Sequence, residues 1–163
     1  MAAPGRRAME ILPLIMAVQA ERGADAFRVQ LTPAQWQCLG HVLQRRELPA
    51  GELLLRRGDA ERCAYLLEAG QLQVFVTGGP PCSHRIATLK PGALVGEPAL
   101  FASATRMAHV EAVTPCVVWK LCAQKLHALA HEAPALVLEV MRAAGEVMAV
   151  RMRANQERGI PMP

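Results

Sequence analysis

A mainly β fold with flanking helices is expected for this chain: a jelly-roll-like β-roll, or double-stranded β-helix, of about eight strands, with N-terminal helices and a long C-terminal helix. Three observations predict it. Between residues 48 and 121, short apolar runs are broken by Gly or Pro at intervals of about ten residues, the rhythm of many short antiparallel strands. On either side the apolar spacing changes to i, i+3, i+4, as in helices that bury one face. Finally, 52% hydrophobic residues in a chain of 163 supply a substantial core for a single domain.

The elements follow in order. Arg6-Arg7 and the apolar run Ile11 to Val18 resemble a secretory leader, but Glu10 and Pro13 interrupt it. The run is far shorter than the roughly 20 apolar residues a membrane span needs. Residues 1–32 are therefore expected to form a helical extension that packs on the domain or on a neighbour. Thr32 is a good N-cap and Pro33 suits the first helical position, while Trp36, Leu39, Val42 and Leu43 share one face.

Strands are expected at 52–56, 65–68, 72–76, 85–89, 108–112 and 116–121, punctuated by Gly51, Gly58, Gly70, Pro80-Pro81, Gly92 and Pro115. Helical spacing returns over 123–130 and 134–155, with Leu136, Val137, Val140, Met141, Ala144, Val147 and Met148 in one stripe. The expected units are 1–32 as extension, 33–155 as the ligand-binding domain and 156–163 as a tail.

The chemistry concentrates in Val95-Gly96-Glu97-Pro98-Ala99-Leu100 and the nearby Arg106-Met107-Ala108. A helix is expected to begin near Glu97. Its carboxylate could accept a hydrogen bond from a sugar hydroxyl, and the fork of Arg106 could hold two oxygens of a phosphate beside the same helix start. Such a pairing describes a cyclic nucleotide. The alternative is that Glu97 and Arg106 pair with each other or with loop backbone and bind nothing.

These residues, with the turn glycines Gly51, Gly58, Gly70 and Gly92, resemble the cyclic nucleotide-binding domain family: catabolite activator protein, protein kinase A regulatory subunits and nucleotide-gated channels. The resemblance covers about residues 33–155. It implies a phosphate-binding cassette with Glu97 on the ribose 2′-hydroxyl and Arg106 on the phosphate oxygens. Gly96, Ala99, Leu100, Met107 and Ala108 complete the expected contact set. Pro98 removes one donor, leaving the N–H groups of Ala99 and Leu100 as candidates for the anion.

Met107 lacks the hydroxyl found in guanine-preferring members, so cAMP is expected ahead of cGMP. The purine is expected against Val74, Val76, Ile86 and Leu94, with Met141, Arg142 and Met148 as a lid. The resemblance also implies a homodimer through the C-terminal helix, along a seam that includes Val137, Val140, Ala144, Val147 and Arg151. A nucleotide-independent interaction or oligomerisation domain is the alternative function.

Other chemistry is disfavoured. The net charge of +4 is dispersed in pairs and aromatics are scarce, so specific nucleic-acid binding is not expected. Too few residues follow Asn155 for a helix-turn-helix, so the chain is expected to be a sensor module, alone or as part of a larger regulator. His109 with Glu111, and His127 with His131, lack the further ligands of a metal site. Ser83 and Ser103 have no triad signature, and no enzyme activity is expected. The five cysteines contain no C-x-x-C pair, so neither a disulfide framework nor a thiolate zinc site is expected, and a reducing cytoplasm suits them. Of these, Cys63 and Cys82 would be redox-active only with a stabilised thiolate.

Overall fold

The computed structural model describes residues 4–77 and 83–159. The elements are α1 (Pro4–Ala20), α2 (Pro33–Val42), β1 (Gln44–Leu48), β2 (Leu53–Leu55), β3 (Cys63–Ala69), β4 (Leu72–Thr77) and β5 (Ser83–Leu89), then β6 (Leu94–Val95), α3 (Pro98–Phe101), β7 (His109–Ala112), β8 (Cys116–Cys122), α4 (Ala123–Glu132) and α5 (Pro134–Glu157). Two four-stranded antiparallel sheets, ordered β1-β8-β3-β6 and β2-β7-β4-β5, form the roll. The expected fold is thus observed. The Pro80-Pro81 turn and Cys82 lie outside the described residues.

Two strands were not anticipated. β1 reads Gln-Arg-Arg-Glu-Leu with only Leu48 buried, a polar edge strand held by its ladder to β8. β6 has two residues, too short for any periodicity to announce.

The two faces of the first sheet explain the core. Leu48, Leu55, Tyr65, Leu67, Val95, Val110 and Val118 pack between the sheets. Ala64, Leu66, Leu94, Trp119 and Leu121 point the other way, into a second cluster with the helices. β3 is therefore buried over five successive residues, because both its faces are covered. Burying each large apolar side chain there contributes roughly 1.5–3 kcal/mol. Leu94 consequently cannot touch a ligand inside the roll; Val95 takes the inward position, a one-residue register difference from the expectation.

The N-terminal extension belongs to the same core. Ile11, Leu14, Val18 and Phe27 join the helical cluster, and Arg7 donates to the carbonyls of Gly40 (3.2 Å) and Leu43 (3.0 Å) at the end of α2. Thr32 forms a capping box with Gln35 at the start of α2. The segment after α1 then runs as a strap along α5. Gln30 N–H donates to Glu139 (2.8 Å), and Arg142 donates to Arg28 O (2.9 Å).

The stripe assigned to a partner is filled internally. Val137, Val140, Ala144 and Val147 are buried in this chain's own helical cluster, so the heptad-like spacing reflects core packing.

Glu139 makes a pH-dependent contact. The Arg142 guanidinium, which binds both its oxygens, and then the Gln30 amide hold its carboxyl down to about 2. A depressed carboxylate stabilises the fold above its ordinary value of 4.5 and loses that contribution as pH falls towards 2. Hydrogen exchange at Gln30 is expected to accelerate across that window while the roll amides stay protected. Equal acceleration in both would refute the local account.

Candidate functional site

The site is built where β6 ends. Gly96 has φ of 75°, a left-handed turn natural to glycine, and Glu97 is already helical at φ −58°. Pro98 opens α3, which is four residues long. So short a helix carries little dipole, and its donors are in use: Ala99 N–H donates to Gly96 O (3.2 Å) and Leu100 N–H to Glu97 O (3.0 Å). An anion would have to share these two groups with the turn, which shifts the weight of recognition onto Arg106.

Arg106 is fixed at both ends. Its N–H donates to Asp59 O (2.7 Å) and its carbonyl accepts from Gly58 N–H (2.9 Å), so the residue is pinned to the turn after β2. Its guanidinium donates from Nη1 to Gly96 O (3.1 Å) and from Nη2 to Cys63 O. Nε is buried without a hydrogen-bond partner. Burial holds this guanidinium below its usual pKa, opposed by the nearby Glu61, Tyr65, Asp59 and Glu97. A bound anion would relieve both penalties at once.

Glu97 and Arg106 are the buried charged residues among those described, at 5% and 7% exposure. They do not pair with each other. Glu97 Oε2 accepts instead from Arg151 Nη1 at 2.9 Å, and Arg151 Nε donates to Asp25 Oδ2 at 2.7 Å. One α5 side chain therefore ties the cassette to the strap, and its Nη2 is also buried without a partner.

Sequence reasoning placed Arg151 in a partner seam and missed this role. The signal was present: residues 140, 144, 147 and 151 share one helical face, so a charge continues a buried apolar stripe. A charge in such a place needs a buried partner.

Met107 is half exposed and Ala108 leads into β7. Val74 packs against the inter-sheet core, Val76 is half-buried, and the Ile86 side chain lies outside the described residues. In the expected lid, Met141 packs on the helical cluster and Arg142 is engaged with Glu139, Glu146 and the strap. The cassette meets α5 elsewhere: Phe101 Cζ lies 3.7 Å from where a Cβ on Gly145 would stand.

Gly96 is required twice over. A Cβ there would stand 2.8 Å from Arg106 Nη1, beside a backbone that already disfavours side chains. Gly96→Ala is expected to cost about 1–2 kcal/mol of stability from the left-handed backbone alone. It also displaces the fork of Arg106, so denaturant unfolding and ligand titration should both register it. An unchanged site would show that the turn is more pliable than described.

A concavity of about 470 Å³ lies at the Cys116 end of β8, lined by Glu47, Leu48, Pro49, Pro115, Cys116 and Val117. It is remote from Arg106, which contacts the Cys63–Cys122 end, and it carries no buried cation. Among the described residues no group of three or more His, Cys, Asp or Glu is placed to hold a metal. His109 Nδ1 accepts from Arg57 N–H (3.2 Å), and Glu111 accepts from Gln73 (3.3 Å).

The cysteines depart from expectation. Cys63 and Cys122 are opposite each other in the β3–β8 register, with Cα atoms 4.1 Å apart, and form a disulfide. Local spacing could not reveal a pair separated by 59 residues. Cys38 and Cys116 are free thiols.

A β-roll that buries a carboxylate and a forked cation around one glycine turn defines a binding domain for a small anionic ligand. The sequence model of the cyclic nucleotide-binding domain matches residues 45–133, more than half of the chain, which therefore belongs to that family. The chain is similar to "Acetyltransferase Pat" of Mycolicibacterium smegmatis, 32% identical over 61% of this chain and 30% of that protein. It is also similar to the "cAMP-dependent protein kinase regulatory subunit" of Blastocladiella emersonii, 29% identical over 64% of this chain and 26% of that one. The chain thus spans less than a third of the length of these relatives. The crystal structure of a cyclic nucleotide-binding domain from Methylobacillus flagellatus superposes with a TM-score of 0.79 at 20% identity, covering 93% of this chain and 83% of that one. No described helix is long and apolar enough to cross a membrane.

Proposed function

We propose that residues 33–155 form a cyclic nucleotide sensor whose ligand is cAMP in preference to cGMP, flanked by the extension 1–32 and the tail 156–163. Arg106 holds the cyclic phosphate, Glu97 takes the ribose 2′-hydroxyl, and Gly96, Ala99, Leu100, Met107 and Ala108 complete the cradle. The observation that carries this reading is the buried Arg106 guanidinium with an unpartnered Nε, a cation lacking its anion. The preference for cAMP rests on Met107, which offers no hydroxyl to a guanine, and on the naming of the kinase regulatory relative.

Arg151 supplies the route out of the site. Its two acidic partners belong to the cassette and to the strap, so a ligand that re-aims Glu97 changes what holds the last turns of α5. Only a difference in ligand affinity between the two arrangements can drive such a shift.

The chain acts in this reading as a non-catalytic regulatory module in the cytoplasm, without specific nucleic-acid binding. A homodimer through α5 would use its outward residues, such as the exposed Leu138 and Met152, rather than the buried stripe. Light scattering against concentration tests that interface. Isothermal titration with cAMP and cGMP tests the ligand. Saturable heat with cAMP supports the sensor reading, whereas no heat and no thermal shift at millimolar nucleotide would favour the interaction-domain alternative.

A further inference from the structure

The Cys63–Cys122 pair sits in a position of consequence. Cys63 is the first residue of β3 and pairs with Cys122, the last of β8, at the end of the β3–β8 ladder. The carbonyl of Cys63 accepts from Arg106 Nη2, which makes one half of the bridge a direct partner of the site's cation. Cys122 also precedes α4, and the adjoining Ala123 N–H donates to Arg62 O (2.9 Å). Cys63 is 5% exposed as a residue, and Cys122 is half-buried against the inter-sheet core.

We propose that Cys63 and Cys122 form a reversible disulfide, exchanged with low-molecular-weight thiols and disulfides, that tunes ligand affinity at Arg106. This rests on the nucleotide reading given above. A small thiolate attacks the Cys122 sulfur, the protein S–S bond breaks, and Cys63 leaves as a thiolate that takes a proton. A second small thiolate attacks the small-molecule sulfur of the mixed disulfide and releases Cys122, which is protonated in turn. Two small thiols are thereby oxidised to their disulfide, and the protein pair gains two electrons and two protons. Oxidation runs the same steps backwards.

The bridge acts through position. Closed, it holds the terminal pair of the ladder together and keeps the Cys63 carbonyl where it fixes one arm of the Arg106 fork, with Nε left free for an anion. Opened, the Cys63–Cys122 pair is left to the backbone bonds on either side of it, and the Cys63 carbonyl, one of the fork's two fixed partners, is held less firmly. Preorganisation is lost, and binding weakens.

The test is cAMP titration of the whole chain equilibrated with oxidised or reduced glutathione, together with peptide mapping of the linked cysteines. The oxidised protein is expected to yield a Cys63–Cys122 linked peptide and to bind cAMP about tenfold more tightly, as suits partial loss of a charged hydrogen bond. Cys122→Ser, which leaves Cys63 in place, is expected to bind like the reduced chain under both conditions. Cys38→Ser is expected to remain redox-sensitive. Equal affinities with the bridge mapped would overturn the switch alone, and so would failure to recover the linked peptide after oxidation. Absence of cAMP binding in either state would overturn the nucleotide reading together with the control built on it.

Discussion

Replacing Arg106 with alanine is expected to weaken cAMP binding by about 3–5 kcal/mol, the scale on which one partner of a buried ion pair is missed. The side chain is 7% exposed, so water cannot substitute for it. The effect on folding should be far smaller, because the bonds lost are those to Gly96 O and Cys63 O. Arg106→Lys keeps the charge without the fork and should fall between alanine and wild type. Lys125→Ala, on the exposed face of α4, is the matched control and should leave affinity unchanged. A larger effect at Lys125 than at Arg106 would place the ligand elsewhere. The measurement is titration calorimetry, with denaturant curves on each variant to separate binding from folding.

Arg151→Ala should give the second largest change, here in stability. It strips Glu97, 5% exposed, of its charged partner and leaves an uncompensated carboxylate in the cassette. A fully buried pair would lose about 3–5 kcal/mol on removal of one member. Arg151 is 23% exposed and Asp25 40%, so solvent screens part of the interaction and about 1–3 kcal/mol is expected. The loss should be local in its first effect: amide exchange in the last turns of α5 and around Asp25 quickens before that in β3 and β8. Asp25→Ala removes the exposed arm alone and should cost less. A variant with unchanged stability and unchanged exchange at α5 would show that the contact carries nothing between cassette and helix.

Much of this architecture could be read before any coordinates. The N-cap Thr32 with Pro33, the glycine turns and the change of apolar period at residue 123 are local signals, and each marks an element close to its observed boundary. The Gly96-Glu97 and Arg106 pattern was legible for a similar reason, since a positive φ and a buried guanidinium both demand particular residue types. What stayed hidden depends on neighbours distant in the chain. β1 is a strand because β8 offers it a ladder, despite four exposed polar residues. Leu94 and Val95 are equally apolar, and only the covering of both sheet faces decides which points inward. The cysteine pair and the Glu97–Arg151–Asp25 chain arise from register and docking, which spacing in sequence does not encode. The N–H groups of Ala99 and Leu100 were candidates for the anion, yet in this one-turn helix they already donate to Gly96 O and Glu97 O.

The docking of α1, α2 and α5 against one face of the first sheet also limits how the molecule can be trimmed. A fragment cut to the matched span of 45–133 would forfeit Ile11, Leu14, Phe27, Trp36, Leu39, Leu136 and Val140 together, and would bare Leu66, Trp119 and Leu121 to water. That greasy sheet would associate with its own kind before it could recognise a nucleotide. The recognisable module and the unit able to fold by itself thus have different ends.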